Sequence, residues 1–189
     1  MRRQRNFIGP QGMGMVSLWG ASSLIQSVQA FTITLSAALS GTATISTVSL
    51  GDSILFYDNY DTDWPGSVGN TSFESRVTFT NTTTITANSI GAATVGITTI
   101  IRGRVVTFAP GVIRSIQRGS LSFSGQSNTA TITEVNTAKS FLVDNGFSTA
   151  ASDERLQASW AITNATTLTV QTRLGGVSKD TNYQCVEYF

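Results

Sequence analysis

Apolar residues recur at every second position in several short runs of this chain. Ile33 and Leu35 alternate with threonine, as Leu121 and Phe123 do with serine. Phe73, Ser75, Val77 and Phe79 form a longer series, and Leu156, Ala158, Trp160 and Ile162 form another. The residues between them are mostly Thr, Ser, Arg and Gln. A period of two is what a half-buried strand requires. Thr, Val and Ile dominate these runs, which suits a pleated surface. Clusters of Asn, Asp, Gly and Ser separate them, as turns require. No long segment repeats with a period of 3.6, so little helix is expected.

The runs occur twice. Ile25-Gln26-Ser27-Val28-Gln29 matches Ile113-Arg114-Ser115-Ile116-Gln117, and Thr42–Val48 matches Thr129–Val135. Ser53-Ile54-Leu55 matches Ser140-Phe141-Leu142, and Asp58-Asn59 matches Asp144-Asn145. Thr80–Thr86 matches Thr163–Thr169, and Val105-Val106 matches Cys185-Val186. The offset falls from 88 to 87, 86, 83 and 80, so every length change falls between blocks, where loops belong. This is an internal duplication. The expected fold is all-β: two tandem small antiparallel β-sandwich or barrel modules of about six strands each, preceded by an extended N-terminal arm. The boundaries are 1–24 for the arm, 25–111 for module 1 and 112–189 for module 2, with Ala109-Pro110-Gly111 as the seam. Modules of this size have marginal cores, so support is expected from packing between modules or between chains.

Composition narrows the chemistry. Only 12% of the 189 residues are charged and the net charge is +1, which leaves no strong field for nucleic acid. Thr and Ser supply 51 residues, a hydroxyl-rich substitute for a charged surface. Histidine is absent, which excludes a Ser-His-Asp triad and any His-ligated metal. The single cysteine, Cys185, excludes an internal disulfide; aligned with Val105 in an apolar strand, it reads as a core thiol. A glycosidase needs two carboxylates facing one bond, and none of the eleven acids sits in a supporting motif. No catalytic residue and no cofactor is therefore expected.

The arm carries Arg2, Arg3 and Arg5, then an uncharged stretch from Asn6 through Gly51. Its basic start and Val28-Gln29-Ala30 imitate a secretory signal, but glycines and serines dilute the apolar part, and it is too polar to span a bilayer. The sharper reading is a peptide laid along a partner, with Phe7, Ile8, Met13, Met15 and Trp19 as anchors and the arginines gripping an acidic surface. Three arginines could also touch DNA, but only weakly and without sequence specificity. A second candidate is the segment Tyr57-Asp58-Asn59-Tyr60-Asp61-Thr62-Asp63-Trp64, read as a ligand loop. Asp58, Asp61 and Asp63 offer oxygens to calcium, though the EF-hand glycine and terminal glutamate are missing. Tyr57, Tyr60 and Trp64 offer ring faces to a sugar. A solvated turn or an oligomer contact explains the same residues.

The second module opens with Gly111-Val112-Ile113-Arg114-Ser115-Ile116-Gln117-Arg118-Gly119. It continues through Thr129-Ala130-Thr131-Ile132, Ala138–Leu142 and Thr163–Val170, and ends in Tyr183-Gln184-Cys185-Val186-Glu187-Tyr188. This pattern resembles a repeat of structural proteins in tailed bacteriophages, found in tail-associated, fibre and head-surface components. It covers 112–189 well and 25–108 more loosely; module 1 departs most at Gly103–Phe108. The resemblance implies a non-catalytic β module assembled in multiple copies, located in the virion after assembly in the bacterial cytoplasm. The expected function is an accessory fibre or decoration protein attached to the head or head–tail junction through its arm, with other virion proteins (capsid, portal or connector, or tail) as partners and a homo-oligomer, expected to be a trimer, as its state. The alternatives are a receptor- or glycan-binding tail module facing a host surface glycan, and a secreted bacterial β-sandwich adhesin cleaved after Ala30.

Overall fold

A computed structural model describes residues 23–36, 38–63, 75–89, 98–149, 158–173 and 175–189. The arm residues up to Ala21 and Ser22 lie outside this set.

Among the described residues twelve strands follow one another, with a 3-10 turn (Thr137–Lys139) between the eighth and ninth. The first six are β1 (Ile25–Ser36), β2 (Ser40–Thr44), β3 (Ser53–Asp63), β4 (Arg76–Asn81), β5 (Thr84–Asn88) and β6 (Thr98–Phe108). The second six are β7 (Ile113–Phe123), β8 (Ser127–Thr131), β9 (Ser140–Thr149), β10 (Ala158–Asn164), β11 (Thr167–Thr172) and β12 (Lys179–Tyr188). The pairings are antiparallel throughout.

Each set of six makes the same sandwich. In the first, β1-β6-β3 packs on β2-β5-β4; in the second, β7-β12-β9 packs on β8-β11-β10. Residues at alternate positions fill the space between the sheets. Phe31, Ile33, Leu35, Leu55, Ile101 and Val105 from one sheet meet Val77, Ile85 and Ala87 from the other. In the second sandwich Tyr183, Cys185, Leu121 and Leu142 meet Ala130, Leu168, Trp160 and Ile162.

The correspondence extends to single hydrogen bonds. The Gln29 side chain donates to the Ser46 carbonyl and accepts from the Ser46 amide; Gln117 does both with Thr133. Asn81 Oδ1 accepts from the Thr83 amide and hydroxyl, and Asn164 from those of Thr166. These are Asx turns, in which a short amide side chain closes the hairpin. Thr80 pairs with Thr86, and Thr163 with Thr169. The amides of Ile45 and Val48 bond to Thr83 and Thr82 as those of Ile132 and Val135 bond to Thr166 and Ala165.

One point joins the sandwiches into a wider sheet. Arg76 of β4 pairs with Gly146 of β9, which gives the order β2-β5-β4-β9-β12-β7. Gly146 is required there twice over. Its φ is +97°, and a Cβ would run into the Ser75 carbonyl.

Candidate functional site

The densest polar construction among the described residues lies where the two sandwiches meet. The outer face of β7-β12-β9 is covered by β3, β4 and the end of β6. An apolar half and a polar half can be separated.

The apolar half is a third core. Ile54, Ile113, Val143 and Val186 are buried together, with Phe56, Phe108, Val112 and Ile116 packed around them. It explains why β12 is buried on both faces, with seven consecutive buried residues from Thr181 to Glu187.

The polar half is organised by Gln184. Its Oε1 accepts from the Leu55 amide at 3.2 Å, and its Nε2 donates to the Leu55 carbonyl at 2.6 Å. A primary amide here takes the place of the next strand on the open edge of β3. The same Nε2 donates to Asn145 Oδ1 at 2.7 Å, and Asn145 Nδ2 donates to the Leu55 carbonyl at 2.7 Å. Buried polar atoms of this kind must be paired, and a closed set orders the groups around it. Arg118 then reaches across. Its guanidinium donates to Gln184 Oε1 and to the carbonyls of Leu50 and Ser53, and lies 5.1 Å from the centre of the Phe79 ring. Burial lowers the Arg118 pKa to about 10, so it stays protonated at neutral pH. These three partners are neutral oxygens; none is a carboxylate.

On the β4 side, Arg76 bonds Asp180 at 2.8 Å and Asn182 Oδ1 at 3.4 Å, and Asn182 Nδ2 donates to the Val77 carbonyl. Arg76 Nε is buried without a hydrogen-bond partner. Between these groups lies a cleft of about 240 Å³, lined by Arg76, Phe79, Arg118, Asn145, Asn182 and Gln184 among others. Its polar side chains are mainly amides and guanidinium groups, beside the rings of Phe79 and Tyr183 and the aliphatic Leu55 and Val77. They can donate, accept and stack.

The anticipated ligand loop is not a loop. Tyr57, Asp58, Tyr60, Asp61 and Asp63 lie in β3, paired with β6. The Asp/Asn/Tyr composition resembles a turn, but Ile54 and Leu55 start a ladder that β6 continues, and a bulge at Asp58 absorbs the extra polar residue. Asp58 accepts two bonds from Arg104, at 2.8 and 2.9 Å, and that contact raises the Arg104 pKa. Asp58 is thereby taken by an arginine, and Asp61 is exposed opposite Ile100. Among the described residues no group of three His, Cys, Asp or Glu side chains is placed to hold a metal. Trp64 lies outside the described residues, as do Arg2, Arg3, Arg5, Phe7, Ile8, Met13, Met15 and Trp19 of the arm.

Sequence reasoning did not single out Gln184, Asn145, Arg118, Arg76 or Asn182. A signal was present in the positions where the two copies differ. Gln184 corresponds to Arg104, Arg118 to Ala30 and Asn182 to Arg102. Cys185 is fully buried in the second core, where desolvation is the main cause of its raised thiol pKa.

Comparison with known proteins returns no protein-family model, curated protein or solved structure that matches the chain. Among the described residues no helix is long and apolar enough to cross a membrane.

Proposed function

We propose that this protein is a non-enzymatic structural component of a tailed-phage particle, an accessory fibre or decoration protein. One observation carries the reading. Two copies of one sandwich are joined by a buried apolar and polar seam, so the chain forms a firm two-module body. A protein that must bear load or hold position gains from such a seam. A swinging linker would serve it poorly. The phage-like pattern of the second module supports the same reading. In this proposal the arm (residues 1–24) is the attachment element, its apolar anchors and arginines docking on a head or head–tail surface. Three copies acting together would multiply weak arm contacts through effective concentration.

The test is quantitative mass spectrometry of purified particles from a phage that encodes this chain. The expected result is the chain present at a fixed stoichiometry. Many copies per capsomer set would indicate decoration, and a small multiple of the tail symmetry would indicate a fibre. Absence from purified particles would overturn the proposal.

A further inference from the structure

Seven large apolar side chains stand exposed among the described residues: Leu24, Ile25, Val28, Leu39, Phe141, Tyr188 and Phe189. Their positions in the duplication are informative. Leu24, Ile25 and Val28 of the first sandwich correspond to Val112, Ile113 and Ile116 of the second. Phe141 and Tyr188 of the second correspond to Ile54 and Phe108 of the first. All five counterparts belong to the core of the seam between the sandwiches. The hydrogen bonds support this alignment, since the Ala109 amide bonds to the Leu24 carbonyl as the Phe189 amide bonds to that of Val112.

The seam is a head-to-tail contact. One sandwich offers the Ile54/Phe108 face, and the next offers the Val112/Ile113/Ile116 face. Inside the chain these two faces meet once. One of each then remains: Leu24/Ile25/Val28 on the first sandwich and Phe141/Tyr188, beside Phe189, on the second. Exposed apolar patches of this kind mark interaction sites. A heterologous contact between like units leaves complementary faces at its two ends.

We infer that these two faces bind each other between chains, so that copies of this protein associate head to tail. The partner is a second copy, because the seam already shows this pair of faces buried against each other. The contact is not a full replica of the seam. Gly146, where β4 meets β9, corresponds in ladder register to Asn59, and Gln184 and Arg118 correspond to Arg104 and Ala30. Part of the apolar half is kept, in Leu24, Ile25, Val28, Phe141 and Tyr188, while Phe56 and Val143 are each other's counterparts and already lie in the seam; the polar half is not kept. The association is therefore a head-to-tail contact of apolar faces without strand pairing, weaker than the seam and dependent on concentration. It does not rest on the particle assignment.

The experiment is sedimentation equilibrium on the full chain, with Val28→Asp and Phe141→Asp made singly. Both side chains are exposed, and circular dichroism with thermal melting checks that each variant folds; Val28→Ser and Phe141→Ser replace any that does not. The wild type should self-associate up to about 100 µM, enough to populate contacts tighter than that Kd. Each single variant should be monomeric. An equimolar mixture should form a one-to-one dimer and stop there, because one intact face of each kind remains. A monomeric wild type would overturn the inference, and would fit coverage of the first face by the chain's own residues 1–22. Variants that still assemble alone would also overturn it, as would a mixture that stays monomeric.

Discussion

Tyr183 lies across Gly119, its cross-strand partner, and the ring occupies the space that a Cβ on Gly119 would need. In the first sandwich Phe31 lies across Gly103 in the same manner. The strands have been exchanged. By the duplication Phe31 corresponds to Gly119 and Gly103 to Tyr183. One copy carries the aromatic residue on its first strand, the other on its last, and each has glycine opposite. An aromatic side chain over a strand glycine shields the backbone that glycine leaves bare. What the two copies share is the pair, with either order allowed.

A swap experiment follows from that relationship. Gly119→Phe alone should collide with Tyr183 and cost about 1–3 kcal/mol, the usual range for overpacking. Tyr183→Gly alone should leave a cavity costing about 3–5 kcal/mol. The double variant restores one ring over one glycine and should recover a large part of the sum, read as a coupling energy in urea denaturation. Strict additivity would show that the two sites do not interact.

Gln29, Gln117 and Gln184 each close a two-bond ring with a backbone amide, but only that of Gln184 is buried. Gln184→Ala strands the Leu55 amide and its Asn145 partner in the seam and should cost about 2–3 kcal/mol. Gln29→Ala returns its partners to water and should cost about 0.5–1 kcal/mol. Chemical denaturation of the two variants checks the ratio. Equal losses would mean that the seam is wetter than its geometry implies.

Arg118 holds two carbonyls and one amide oxygen with a planar fork. Arg118→Lys keeps the charge, but a single ammonium cannot replace that spread of donors. A loss of about 1–3 kcal/mol is expected, with the carbonyls of Leu50 and Ser53 left short of donors. Amide exchange should speed up around Leu55 before it does in the first core. Unchanged exchange at Leu55 would remove Arg118 from the seam's support.

Cys185 reports on opening of the second sandwich. Burial is the main cause of its raised thiol pKa and also blocks access, so the native protein should react very slowly with a thiol reagent at neutral pH. The sign is definite: a raised thiol pKa means less thiolate at any pH below it. Reaction should accelerate with denaturant in step with unfolding of that sandwich. Rapid labelling of the folded protein would contradict the buried placement.

Much of this architecture is decided locally. The alternation around Ile33, Leu121 and Trp160, the Asx turns at Asn81 and Asn164, and the matched Gln29 and Gln117 can all be read from short stretches of chain. Pleat and turn chemistry act over a few residues. The segment from Tyr57 to Asp63 could not be read in this way, because its polar composition favours a turn while β6, which starts 35 residues after Asp63, supplies the ladder that makes it a strand. The seam lies further still from local reading. Ile25 and Ile113 are the same residue in the same block, yet one is exposed and the other buried. The residue pattern dictates two like sandwiches with like apolar edges. Which edge is covered is settled by long-range packing, because burial depends on what a neighbouring surface presents, and that neighbour is remote in the chain.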